Sequence, residues 1–110
     1  MNQKDFNVGK DAMESLVGIE MGFCLATDKI MVLGEKIDYM YRDEPDSETD
    51  SGWRFLSNTE DQEYLDNPEN SGIYSLNTVA NNDRAIIPYL NAPIGSELVR
   101  IEGTDEFVAN

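Results

Sequence analysis

Five carboxylates fall within eight residues, Asp43, Glu44, Asp46, Glu48 and Asp50, a density that can serve three kinds of chemistry. Carboxylates held close raise one another's proton affinity, which is how paired acids in hydrolases keep a proton for general acid work. Oxygen ligands at alternating positions, as in Asp46-Ser47-Glu48-Thr49-Asp50-Ser51-Gly52, are the raw material of a calcium loop. A run of acids next to Trp53 and Arg54 can also recognise a cationic partner, which long-range attraction orients before contact.

The first two readings fit poorly. The chain has no His, which removes the commonest general base and the usual triads, and clustered acids in a loop are ordinarily solvated. Cys24, the only cysteine, sits in the apolar run Met21-Gly22-Phe23-Cys24-Leu25-Ala26 with no basic neighbour, so a small buried thiol is expected rather than a nucleophile. Counted from Asp46, the sixth and twelfth places of a calcium loop hold Ser51 and Ser57 where the pattern needs glycine and a bidentate Glu. Weak divalent-cation binding to the loop stays open, whereas zinc lacks ligands. No phosphate-cradling or dinucleotide motif is present. The expectation is a protein without catalytic residues, resident metal or cofactor.

Charge favours the third reading. The net charge is −14. Between Asp43 and Asn70 ten acids face a single base, Arg54, a local charge of −9. Spreading acids evenly would serve solubility, whereas crowding them around an aromatic strand costs self-repulsion and makes more sense as a recognition surface. The partner-binding residues expected on this ground are Asp43, Glu44, Asp46, Glu48, Asp50, Trp53, Arg54, Glu60, Asp61 and Glu63. Trp53 is expected to anchor the core as well. The eight bases form no cluster, so neither nucleic acid nor an anionic membrane is an expected partner.

These residues must be held by some frame. Residues 10–18 predict a short amphipathic helix, with Asp11 as cap, Glu14 three residues on, and Ala12, Met13, Leu16 and Val17 on one face. From Ile19 the apolar residues alternate, placing Ile19, Met21, Phe23 and Leu25 on one side of a strand that ends near Thr27-Asp28. Residues 30–32 and 37–41 around Leu33-Gly34-Glu35-Lys36 predict a hairpin. Residues 42–52 read as an exposed loop leading into a strand over 53–57, on which Trp53 and Phe55 share a face and Arg54 takes the other. Asn58 or Thr59 then caps a short helix through Tyr64-Leu65 that Asn67-Pro68 stops.

Asn70-Ser71-Gly72 reads as a turn, and Leu76, Val79, Ala80, Ile86, Ile87 and Leu90 as two short helical turns, the second disturbed by Pro88. Residues 96–102 and 107–108 predict a last hairpin. The fold expected is α+β, a mainly antiparallel sheet with short peripheral helices, with 1–18 as an N-terminal helical extension and 19–110 as one domain. With 110 residues, 40 % of them hydrophobic, the chain has material for one core. A start without a long apolar stretch predicts neither signal peptide nor membrane anchor, hence a cytoplasmic protein.

From Cys24 to about Phe107, "CLATDKI", "IDYMYRDEPDSETDSGWRF", "DNPENSGIYSLNTVAN" and "IIPYLNAPIGSE" occur in that order. In these blocks the chain resembles the bacterial domain classed as immunity protein family 33 of polymorphic toxin systems. The resemblance implies a protein that binds and neutralises a cognate toxin, often a basic nuclease whose phosphate groove an acidic inhibitor can occupy. It implies no catalytic site, and it leaves the residues around Trp53 and the segment Asn77-Thr78-Val79-Ala80-Asn81 as either binding surface or structural signature. Asn77 and Asn81 fit a structural role, holding irregular backbone through their side-chain amides. The competing reading is a housekeeping or stress-linked module that binds a small ligand or divalent cation beside Trp53.

Overall fold

The computed structural model describes residues 4–110. In chain order it contains β1 (Phe23–Thr27), α1 (Asp28–Met31), β2 (Tyr39–Arg42), β3 (Asp50–Leu56), α2 (Gln62–Asp66), β4 (Ser71–Ser75), α3 (Leu76–Asn82), β5 (Glu97–Arg100) and β6 (Phe107–Ala109). Short 3-10 helices at Lys10–Ala12, Ile19–Met21, Pro68–Asn70 and Arg84–Tyr89 fill the connections. The six strands form one sheet in the order β4-β1-β3-β2-β5-β6, parallel only between β1 and β3. The α+β, mostly antiparallel architecture read from the sequence is the one present.

One face of the sheet carries the core. Cys24 and Ala26 of β1, Met40 of β2, Trp53 and Phe55 of β3 and Phe107 of β6 pack there under Ile30 and Met31 of α1, Leu76, Val79 and Ala80 of α3, and Ile86. Each of these is at most 5 % exposed, so their apolar area is almost wholly removed from water, the main term that opposes the chain's conformational entropy. The side chains between them on the same strands project from the opposite face.

Several expectations are corrected. Residues 30–41 form no hairpin. Ile30 and Met31 are adjacent and both belong to the core on one side of the sheet, whereas a strand would divide them between its two faces, so the chain takes a helical turn instead. Gly34, at φ +77°, closes that turn in the left-handed region. The hairpin that does form pairs β2 with β3, Tyr39 opposite Leu56 and Met40 opposite Phe55, across residues 43–49. On β1 the face is reversed, since Cys24 and Ala26 enter the core while Phe23 and Leu25 point away. Residues 71–75, expected to begin as a turn, are the edge strand β4. Asp61, rather than Asn58 or Thr59, caps α2 by accepting the Tyr64 N–H at 2.8 Å.

No helix runs over residues 10–18 either; one 3-10 turn is followed by irregular backbone. Its amides are satisfied from α3. Asn77 Oδ1 accepts the N–H of Leu16 at 2.7 Å and of Val17 at 3.0 Å, and Asn81 Oδ1 accepts that of Glu14 at 2.8 Å. Both amide groups donate back to the Glu14 carbonyl. The two asparagines do hold irregular backbone, and in doing so seat Leu16 and Val17 against the core.

Candidate protein-binding site

β3 is the element that positions the acids. Its first residue, Asp50, and Arg54 both lie on the face away from the core, and the guanidinium takes the carboxylate end-on, Nη1 to Oδ1 at 3.0 Å and Nη2 to Oδ2 at 2.9 Å. Backbone N–H groups of Asp46 and Gly52 donate to the same carboxylate, each at 2.9 Å. Gly52 makes the local path possible: its φ is +89°, and a Cβ there would collide with the Asp43 carbonyl. The Arg54 hydrogen bonds hold the Asp50 carboxyl well below the usual carboxylate range, against burial, which pushes it up.

That depression fixes a pH dependence. A carboxyl whose folded pKa lies below its unfolded value adds stability above the unfolded value of about 4, and the contribution disappears as pH falls through the folded value. Asp50→Asn is therefore expected to be less stable than the parent at pH 7, with the gap narrowing below about pH 4. Urea denaturation at pH 7 and pH 3 measures it, and a constant gap would remove Asp50 as the titrating group.

From this anchor the loop reaches into solvent. Asp43, Glu44, Asp46 and Glu48 are exposed, Asp46 with 91 % of its side chain free although it stands 3.7 Å from Arg54. Among the described residues Asp43, Glu44 and Glu48 form no salt bridge. Trp53 is elsewhere: it is 0 % exposed, its ring lies 6.0 Å from Phe55, and its Nε1 donates to the Leu90 carbonyl at 3.1 Å. It is a core anchor, enclosed on all sides and offering no wall to a ligand cleft. Arg54, 8 % exposed, serves the loop from beneath.

Glu60, Asp61 and Glu63 lie past the far end of β3, separated from the loop by roughly 20 Å at about 3.3 Å per residue. The fold thus keeps the two acid groups apart instead of merging them. Glu60 accepts from the Thr27 hydroxyl and the Ser57 N–H, tying the ends of β1 and β3 together. Burial pushes its carboxyl up, and those hydrogen bonds more than offset the push, leaving it below its usual range. Asp61 is committed to its cap, and Glu63 is exposed. Cys24 is buried, donates from Sγ to the Tyr74 carbonyl at 3.4 Å, and has its thiol pushed far above the usual range by burial. No group of three or more His, Cys, Asp or Glu able to hold a metal ion occurs among the described residues.

Residues not singled out from the sequence share the outward face with Arg54. Ile73, Leu25, Arg54 and Tyr41 stand opposite one another in register across β4, β1, β3 and β2. Ile73 is 73 % exposed and Phe23 39 %. The alternation of β1 was legible, but which parity faced outward was not, because Cys24 and Ala26 are as acceptable in a core as Phe23 and Leu25.

Fold and site together describe a small α+β domain that uses one sheet face for its core and holds a rigidly based acidic loop beside the other. The chain belongs to the immunity protein Imm33 domain family, which it matches over residues 24–109. Such a family implies action by binding rather than by catalysis. No curated protein and no solved structure matches the chain. None of the helices among the described residues is long and apolar enough to cross a membrane.

Proposed function

We propose that this domain neutralises a protein toxin by binding it directly in the cytoplasm of the cell that makes both, with the acidic β2–β3 loop meeting a basic surface of the toxin. The observation that carries this reading is the loop itself. Asp43, Glu44, Asp46 and Glu48 project from a base fixed by the Asp50–Arg54 pair, and apart from the long 3.7 Å approach of Asp46 to Arg54 they form no salt bridge among the described residues. A preorganised acidic projection raises the rate of encounter with a cationic partner and lets an inhibitor occupy a groove meant for phosphate. At the far end of β3 Glu63 can extend the field, whereas Glu60 and Asp61 are bound up in the fold.

The test uses a catalytically inactivated toxin domain encoded beside this gene. Reversing Asp43, Asp46 and Glu48 together to Lys, with Asp50 spared because it holds Arg54, is expected to slow association at least tenfold at 0.1 M salt. The difference should shrink at 1 M, where the screening length falls from about 10 Å to about 3 Å. An association rate unchanged by the reversal at both salts would remove the loop from the reading. Failure of the wild-type protein to bind the toxin or protect cells from its active form would remove the reading itself.

A further inference from the structure

Beside the acidic loop, the outward sheet face holds apolar surface that folding does not use. Phe23, Leu25 and Ile73 line a hollow of about 250 Å³, with Asp46, Thr49 and Asp50 on its lip. An isoleucine left 73 % exposed in the middle of β4 adds little to the core, and contiguous apolar surface rimmed by polar groups marks a docking site. The neighbouring positions have the chemistry of an interface centre, a tyrosine and an arginine, Tyr41 and Arg54, in register with Leu25 and Ile73. Arg54 is already locked by Asp50, so presenting this surface needs little further ordering of side chains.

The lip selects the occupant. Arg54 also lines the hollow, but Asp50 already matches its charge. Asp46, with 91 % of its side chain exposed, therefore leaves the site net negative, an arrangement that suits a side chain with an aliphatic stem and a cationic head, its methylenes on Phe23, Leu25 and Ile73 and its charge at Asp46. A second copy of this chain is a poor occupant, because apposing two such faces sets acidic loop against acidic loop at −14 per chain. Phosphate-bearing partners meet the same repulsion. We propose that the hollow over β4, β1 and β3 is the contact that retains the toxin, taking a Lys or Arg side chain from the toxin's surface. This rests on the reading that the partner is a basic toxin. It divides the labour: the loop sets how fast the complex forms, and the Phe23–Leu25–Ile73 strip sets how long it lasts.

Surface-immobilised inactive toxin domain separates the two rates. Ile73→Ser changes no charge and, at an exposed position, leaves the melting temperature within a few degrees of the parent. It is expected to raise the dissociation rate at least tenfold while the association rate stays within threefold. Val108→Ser, at a 46 % exposed position on the distant edge strand β6, is expected to change neither. An unaltered dissociation rate in Ile73→Ser, or an equal rise in Val108→Ser, overturns this contact and leaves toxin binding standing. A wild-type protein that does not bind the toxin overturns both.

Discussion

Asp83→Ala is expected to cost about 3 kcal/mol of folding free energy, the low end of the usual penalty for breaking a buried ion pair, because Asp105 still pairs with Arg100 at 3.0 Å. Asp83 and Arg100 face each other with 9 % and 5 % of their side chains exposed. Each has further duties. Asp83 Oδ2 accepts the Ile37 N–H at 2.9 Å and Oδ1 the Ala85 N–H at 3.2 Å, while Arg100 Nε donates to the Ile37 carbonyl at 2.8 Å. The pair joins the end of α3, the approach to β2 and strand β5, three segments with no covalent proximity. A domain of this size loses about 4–8 °C of melting temperature per kcal/mol, so circular dichroism should record a fall of more than about 12 °C.

The double variant Asp83→Ala with Arg100→Met separates pairing from capping. With neither buried charge left, and only the 80 % exposed Asp105 losing its partner, it should recover part of the loss, though not the bonds to Ile37 and Ala85. Strict additivity of the two single effects would show that the residues act independently.

Trp53→Ala is expected to cost about 3–5 kcal/mol, the range for deleting a large buried aromatic. The indole fills the centre of the core face, bonds the Leu90 carbonyl, and has the Arg42 guanidinium 5.8 Å from its ring. Trp53→Phe keeps most of the volume and loses the hydrogen bond, leaving Leu90 O unpaired at about 1–3 kcal/mol. Urea denaturation followed by circular dichroism orders the two variants. Because Trp53 has no exposed surface, Trp53→Phe should also leave the toxin dissociation rate unaltered. A destabilisation by alanine below about 1 kcal/mol would show that the residue is no anchor.

Elements with one strong local signal were legible in the sequence. Trp53 and Phe55 around Arg54 marked a two-faced strand, Leu76, Val79 and Ala80 a helix face, and residues 96–102 and 107–108 the last hairpin, in which β5 pairs with β6. Where two signals competed, tertiary packing decided. Gly34 fits a hairpin turn and a helix C-cap equally well, and the need to bury both Ile30 and Met31 selected the cap. β4 was hidden because Ser71, Gly72 and Ser75 are turn residues, and an edge strand needs few apolar side chains to hold its place. Of the acids, their exposure in residues 43–48 followed from composition. That Asp50, Glu60 and Asp61 serve the fold depended on a guanidinium four residues on along the same strand face, on Thr27 in another strand, and on a cap two residues beyond Thr59, none of which the acid spacing itself reveals.

The assignment of alternate strand positions to opposite faces has an evolutionary consequence. On β1 and β3, Cys24, Ala26, Trp53 and Phe55 are committed to packing, while Phe23, Leu25 and the residues of the adjoining loop answer to nothing inside the molecule except through Asp50 and Arg54. Substitutions can therefore accumulate on one side of the sheet with little penalty on the other. An antagonist that alters its own surface can be followed by mutation at outward positions alone, so lineages locked in mutual adaptation can diverge in specificity while inheriting the same interior.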